Sequence, residues 1–255
     1  ENHKMTKLLI DGDMLIYRHA HGATEHVDWG DGLWVSFGNQ HIAIEGIHRT
    51  ISEWQEQFKA KDVLLALSHK DNFRKKLCPK YKAQRRLKEP AVLVKVLRQE
   101  VAKDYPTLEV PTLEADDVIG IEATKDNENE CSKAIIISSD KDFKQIPGTH
   151  FNPLTPLLGL ETVTKSQAEE AFLTQTLSGD IVDGYTGCPG IGKTKAKSIL
   201  DGYLSLADAW ERILKTYAKA NLKPEDVLHQ ARLAKILHAH EYCPKQGVRL
   251  WQPPL

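Results

Sequence analysis

No apolar run in the 255-residue sequence approaches the ~18–20 residues that a membrane-spanning helix needs. No charged-then-apolar segment of signal-peptide type opens it, and the first four residues, which precede a Met, are left out of the fold reading. A membrane partner is therefore not expected, and a cytoplasmic setting is. Cysteine is scarce: Cys78, Cys131, Cys188 and Cys243 lie far apart, with no Cys-x-x-Cys and no His at zinc-finger spacing. That argues against a disulfide framework and a structural zinc site. Net charge is also nearly absent, with 34 basic against 35 acidic residues, so any nucleic-acid signal has to be local. There is no internal repeat and no low-complexity tract. With 41% apolar and 27% charged residues, the chain has what a folded core requires.

What is present is strand–helix alternation. Residues 7–10, 62–67 and 134–137 are short continuous apolar runs, the mark of strands covered on both faces. Between them, residues 40–58 place Ile44, Ile47, Ile51, Trp54 and Phe58 three or four apart. Residues 90–104 and 114–124 carry similar stripes. This pattern predicts an α/β fold with a mostly parallel sheet over residues 5–164. After about residue 164 the pattern turns helical, starting at Thr164 with Gln167 as a capping box, so residues 165–255 read as a smaller all-helical module. Trp210, Ile213 and Leu214 read as its core.

Carboxylates punctuate the strand ends. Asp11 and Asp13 follow the first run, and Asp140 and Asp142 follow another. Glu114-Ala115-Asp116-Asp117 opens a helical stretch, and Asp180 and Asp183 lie in a loop. Taken singly, each group reads as a helix cap or a turn. Taken together, at the carboxyl edge of a parallel sheet where ligands bind, they point to a shared site. Clustered carboxylates repel unless cations neutralise them, and hard oxygen donors suit Mg²⁺ or Mn²⁺. Two such ions about 3.5–4 Å apart are machinery for phosphodiester hydrolysis.

Two further segments fit that chemistry. Residues 70–88 hold nine bases (Lys70, Arg74, Lys75, Lys76, Lys80, Lys82, Arg85, Arg86 and Lys88) against one acid, Asp71, with Phe73 and Tyr81 interleaved. Cations hold phosphates, and aromatic rings stack on unpaired bases. Residues 187–195, Gly-Cys-Pro-Gly-Ile-Gly-Lys-Thr-Lys, contain Gly-Lys-Thr but follow no buried strand, so a nucleotide-binding P-loop is disfavoured. A glycine turn opening a helix, with Gly190 and Gly192 exposing backbone N–H groups and Lys193, Lys195 and Lys197 adding charge, suits sequence-independent gripping of duplex DNA.

In order and spacing, Leu9-Ile10-Asp11-Gly12, Asn72-Phe73-Arg74 with Tyr81-Lys82 and Arg85, Glu114-Ala115-Asp116-Asp117, Ser139-Asp140-Lys141-Asp142, Gly179-Asp180 with Asp183, and residues 187–195 resemble the 5′-nuclease or flap endonuclease family. The resemblance implies a PIN-like catalytic domain with a helical arch at about residues 70–104, followed by a helix-three-turn-helix DNA-binding module. It implies a structure-specific 5′–3′ exonuclease and flap endonuclease using two or more Mg²⁺ or Mn²⁺ ions. DNA with a 5′ flap or 5′ end is the expected partner, and an RNA–DNA hybrid is a further one. K⁺ at the 187–192 turn, a monomer, and a bacterial cell or phage-infected host are also implied.

Carried over residue by residue, Asp11, Glu114, Asp116 and Asp140 match inner metal positions, and Asp117, Asp142, Asp180 and Asp183 match the rest of the acidic set. Lys82 matches a lysine that contacts the scissile phosphate, Tyr81 a base-stacking aromatic, and Arg74 and Arg85 arch phosphate contacts. Asp71 lies later than the aspartate that relatives carry after the strand. Asp13 replaces a Thr or Asn and would back up Asp11 if the chain there stays extended. Thr194 stands at a commonly basic position, which leaves Lys195 as the main contact. The competing readings are a DNA-binding relative without activity and an RNA-directed PIN-type ribonuclease.

Overall fold

The computed structural model describes residues 6–84, 92–125 and 133–254. Its centre is β1 (Thr6–Asp11), followed by α1 (Gly12–Gly22), a hairpin of β2 (Thr24–Asp28) and β3 (Trp34–Gly38), α2 (Gln40–Phe58) and β4 (Ala60–Leu67). Next come the short α3 (Phe73–Leu77), α4 (Val94–Asp104), β5 (Thr107–Glu109), α5 (Ala115–Ala123), β6 (Lys133–Ile137), β7 (Gly148–Phe151) and β8 (Leu160–Val163). The six-stranded sheet runs β5-β4-β1-β6-β7-β8, parallel except for β8, which returns antiparallel to β7.

The sheet is buried on both faces, and its strands show the two-residue alternation this requires. Leu8 and Ile10 of β1, Leu65 and Leu67 of β4, and Ile135 and Ile137 of β6 point into a core with α1, α2 and α4. Leu9, Ala66 and Ile136 point the other way, into a core with α5. Each buried Leu or Ile contributes roughly 1.5–3 kcal/mol relative to exposure. The α2 stripe buries Ala43, Ile47, Ile51 and Trp54, with Asn39 capping its N-terminus through the Ile42 N–H at 3.2 Å. Gly12 sits where β1 turns into α1. A β-carbon there would lie 2.7 Å from the Ala66 carbonyl oxygen, so only glycine lets this turn press against β4.

From residue 165 the chain is helical: α6 (Lys165–Ser178), α7 (Lys193–Leu200), α8 (Leu206–Lys219) and α9 (Pro224–Ala234). The α6 start is the reciprocal capping box read from the sequence, with Thr164 Oγ1 accepting from the Gln167 N–H and Gln167 Oε1 from the Thr164 N–H. These helices build a core around Leu173, Leu177, Trp210, Ile213, Tyr217 and Ala231. The chain then leaves it. Ile236 and Leu237, just past α9, are buried in the α5 core under the sheet, and a small hairpin of β9 (Tyr242–Cys243) and β10 (Gly247–Val248) packs there too. The last twenty residues therefore pack partly under the sheet and not only against the helical core.

Candidate active site

The parallel neighbours β1 and β6, which lead into Asp11 and Asp140, open on the same edge of the sheet. Asp11 is the last residue of β1 and the N-cap of α1, accepting from the Met14 N–H at 3.1 Å. β6 is the neighbouring strand, and Ser138 at its end donates Oγ–H to Asp11 Oδ2 at 2.9 Å while accepting from the Asp140 N–H at 3.1 Å. One hydroxyl thus ties the two strand-end aspartates together. Asp140 in turn caps a short 3-10 turn over Lys141–Gln145 and accepts from the Asp142 N–H at 2.9 Å.

Burial pushes Asp11 up to about 6, with Asp13 and Asp140 adding to the rise against the Met14 N–H. Burial and then Asp140 push Asp142 up to about 6 as well. Asp142 Oδ2 accepts from Gln175 of α6 at 3.1 Å, and the same amide donates to the Tyr185 hydroxyl at 2.7 Å. Asp180 Oδ1 closes a turn by accepting from the Val182 and Asp183 N–H groups at 2.9 and 3.3 Å. Burial, followed by Asp142, Asp183 and Asp180, raises the Tyr185 hydroxyl. A cavity of about 390 Å³ lies between Asp142, Gln175, Asp180, Lys193 and Lys197.

The second group stands at the start of α5. Carboxylate oxygens of Glu114, Asp116 and Asp117 lie within 4.8 Å of one another, the one such potential metal-holding cluster among the described residues. Lys82 links it to the loop acids: its ammonium bonds Glu114 Oε1 and lies 3.6 Å from Asp183. The Lys82 backbone N–H also donates to the Asp183 carbonyl at 2.8 Å. Lys82 has φ +50°, a left-handed conformation that costs a lysine on the order of 1–2 kcal/mol. Burial would raise Glu114, but Lys82 and Arg74 outweigh it and hold the carboxyl down at about 2. Asp116 goes the other way, raised by burial and then by Asp117 and Glu114.

The donors facing the pocket are hard carboxylate oxygens whose repulsion the protein's own cations offset only in part. That chemistry fits divalent ions of the Mg²⁺ class.

Several sequence expectations need correction. Arg74 is not an exposed phosphate contact: it is 1% exposed and its guanidinium is spent on protein acceptors. Tyr81 is not a free stacking ring: it is 3% exposed, 6.3 Å from Tyr185 in a stacked pair, and donates its hydroxyl to Glu114 at 2.9 Å. Asp117 is 0% exposed with both oxygens occupied, so it is a counter-ion to Arg74 and not an outward ligand. Asp71 is exposed and lies 3.9 Å from His69. Asp13 does not follow an extended chain, because the helix begins at Gly12; it pairs with Arg98 at 2.6 Å and accepts from the Ser68 N–H. Arg85 lies outside the described residues.

Lys75 is half-buried, with its ammonium on the Lys70 carbonyl at 3.3 Å. In the glycine turn, Gly190, Gly192, Lys193, Lys195 and Lys197 are all exposed, Gly192 caps α7, and Lys195 donates to the Gly190 carbonyl at 3.1 Å. The sequence reading missed Ser138, Gln175, Tyr185 and Arg98. No charge pattern marks the first three, and Arg98 was read only as part of a helical stretch.

Comparison with known proteins bears on this arrangement. The profile of the 5′-3′ exonuclease N-terminal, resolvase-like domain matches residues 6–174. The chain belongs to that family. An exodeoxyribonuclease of Enterobacteria phage T3 is 29% identical over 280 aligned positions, covering 96% of this chain and 92% of the relative. A flap endonuclease Xni of Shewanella pealeana is 34% identical over 64% of this chain and 67% of its own length. The T5 D15 protein co-crystallised with metal ions shares the fold, with a TM-score of 0.67 at 16% identity over 91% of this chain and 89% of that one.

Proposed function

We propose that the chain hydrolyses phosphodiesters of DNA at 5′ ends and 5′ flaps with the help of two or more divalent ions, Mg²⁺ or Mn²⁺. The 5′–3′ exonuclease and flap endonuclease activity is that of its family, and the metal-dependent nuclease chemistry agrees with the carboxylate cluster. The carrying observation is the run of acids from Asp11 through Asp140, Asp142 and Asp180 to Asp183 and Glu114, gathered at one sheet edge with Lys82 set into it.

Asp11, Asp140 and Asp116 are the residues that would hold the ions, with Glu114, Asp142, Asp180 and Asp183 completing the set. Bound divalent ions supply Lewis acidity and a template for in-line displacement at phosphorus. The chain's own contribution is positional. Ser138 and the capped turns fix the oxygens of Asp11 and Asp140, and Gln175 fixes Asp142. Lys82 is the cation closest to the scissile phosphate in this reading, placed to offset negative charge that builds on it.

In this scheme the arch expected at about residues 70–104, of which 85–91 lie outside the described residues, admits a single-stranded 5′ end. The helices from α6 to α9 form the duplex-gripping module, with Lys193, Lys195 and Lys197 on phosphates and K⁺ at the 187–192 turn. Tyr81 acts through Glu114 in this scheme. Among the described residues no helix is long and apolar enough to cross a membrane.

The test is Asp140→Asn on a 5′-flap duplex with Mg²⁺. The carboxylate cannot be replaced by an amide without losing charge at the ion, so cleavage should fall by about 10²-fold or more. Undiminished cleavage contradicts the assignment. The same panel, run with nicked duplex, RNA–DNA hybrid and single-stranded RNA, measures substrate preference. A preference for single-stranded RNA would replace this reading with a ribonuclease.

A further inference from the structure

Arg74 has five N–H donors, and all five directions are taken inside the protein. Nε donates to the Leu233 carbonyl at 3.1 Å. One terminal nitrogen donates to Glu114 Oε2 at 3.0 Å and Asp117 Oδ2 at 2.7 Å, the other to Asp117 Oδ1 at 2.7 Å and the Lys235 carbonyl at 2.5 Å. The guanidinium meets Asp117 as a fork-to-fork pair. Asp117 is filled in the same way: Oδ1 also accepts from the Leu237 N–H at 3.1 Å, and Oδ2 from the Glu114 N–H at 3.2 Å. Three segments distant in sequence thus lock onto one buried ion pair. They are the start of α3, the start of α5, and the strap of residues 233–237 that follows α9.

We infer that Arg74 is a positioning residue for the acidic site, and that the strap Leu233–Leu237 is the frame that holds it in place. This rests on the proposed metal-dependent reaction and deepens it. The brace acts on Glu114. Its Oε2 is fixed from inside by Arg74 and the Tyr81 hydroxyl, while Oε1 faces the exchangeable ammonium of Lys82. Its backbone N–H is fixed by Asp117. One oxygen of the carboxylate is held so that the other can be presented. Partners that orient a ligand in this way typically carry 10–100-fold of metal affinity or activity (about 1–2 decades). A basic residue in a segment with the charge of residues 70–88 would ordinarily be assigned to phosphate. Complete burial of Arg74, with its donors spent, removes that role.

The experiment separates the two roles and separates both from the function itself. Its probes are Mn²⁺ binding to DNA-free protein by calorimetry, and binding of a labelled 5′-flap duplex in EDTA across a salt series. The double variant Arg74→Met/Asp117→Leu removes both charges and leaves neither buried alone. The expectation is a cooperatively folded protein whose Mn²⁺ affinity falls about 10–100-fold, with DNA affinity and its salt dependence as in the parent chain. Unchanged Mn²⁺ affinity overturns the inference. So does a salt slope smaller by about 0.9, the signature of a lost phosphate contact.

Should the double variant fail to fold, Arg74→Lys decides. It keeps the charge and loses the fork, so Mn²⁺ affinity should drop while the salt slope stays; parental Mn²⁺ affinity in Arg74→Lys overturns the proposal. Flap cleavage by the parent chain is the separate control. If that fails, the nuclease reading fails, and the ion-binding arm still judges the brace.

Discussion

Gly184 is the position where a single methyl group tests the geometry of the site. It has φ +85°, and a β-carbon placed on it would lie 2.5 Å from the Lys80 carbonyl oxygen, 3.2 Å from the Lys80 carbonyl carbon and 3.4 Å from the Lys82 nitrogen. All three are backbone atoms, which have no rotamer to escape into. To regain ordinary contact the 80–82 segment must retreat by roughly 0.7 Å or more. That segment carries Lys82, whose backbone N–H is bonded to the Asp183 carbonyl and whose ammonium is bonded to Glu114. Gly184→Ala should therefore cost about 1–2 kcal/mol for the left-handed alanine alone, and more for the overlap. Because Lys82 moves with the backbone, single-turnover flap cleavage should fall roughly 10–100-fold, the cost of a displacement near 1 Å at a reacting centre.

Gly202→Ala is the control. Its φ is +63°, but nothing lies within 4 Å of the added carbon. It bears a similar backbone cost and should leave the rate alone. The assay is rapid-quench cleavage of a 5′-flap duplex, with duplex affinity and urea unfolding measured in parallel. The reasoning is refuted by a folded Gly184→Ala protein that cleaves at the parent rate, or by a Gly202→Ala protein slowed as much.

Two further outcomes follow from the same contacts. Lys82→Ala should slow the cleavage step by about 10²-fold or more while changing duplex affinity little, because its charge sits among Glu114 and Asp183 and not on the exposed glycine turn; a loss confined to affinity would make Lys82 an anchor. His238 is held down to about 4 by burial and then by Lys235, from an ordinary 6.5. The unfolded chain takes up a proton below about 6.5 that the folded chain refuses until about 4. Stability from this group is thus present above 6.5 and is lost as pH falls through that window, by up to roughly 3 kcal/mol. His238→Gln, which keeps a donor for the Gln145 carbonyl, should flatten the pH dependence of the urea midpoint between pH 4 and 6.5 and match the parent slope above pH 7. Parallel curves across the whole range contradict the assignment.

The sheet was legible because its strands are buried on both faces, so 7–10, 62–67 and 134–137 announce themselves as unbroken apolar runs. β7 and β8 were not legible. In β8, at the sheet edge, Leu160, Glu161 and Thr162 are all exposed, so no continuous apolar run is needed, and in β7 the buried pair is His150, bonded to the Ile146 carbonyl, and Phe151. The hairpin β2–β3 was hidden for a related reason: outside the main sheet, with Trp29, Trp34 and Phe37 exposed, it has no inward face to set a pattern. The acids were legible as types at positions. Their partners were not, since nothing local in Ser138 or Gln175 shows that a strand order will bring it to Asp11 or Asp142.

The basic segment shows where charge counting stops. Sign and density said that residues 70–88 meet negative charge; they did not say whose. Arg74 and Lys82 both meet the chain's own carboxylates, but in different ways. Arg74 is fully buried and always protonated, so it neutralises Asp117 permanently, and that allows two adjacent acids to start one helix. Lys82 is 13% exposed on its side chain and reaches Glu114 from the open side, so it can yield to another cation or turn to a phosphate. Asp11 and Asp142 have no comparable partner and stand near 6. The protein compensates the charge it needs for folding and leaves uncompensated the charge it needs for chemistry. This is why Asp11, Asp142 and Asp116, each raised by burial and by neighbouring acids, are the ones whose ionisation should respond most strongly to added Mg²⁺.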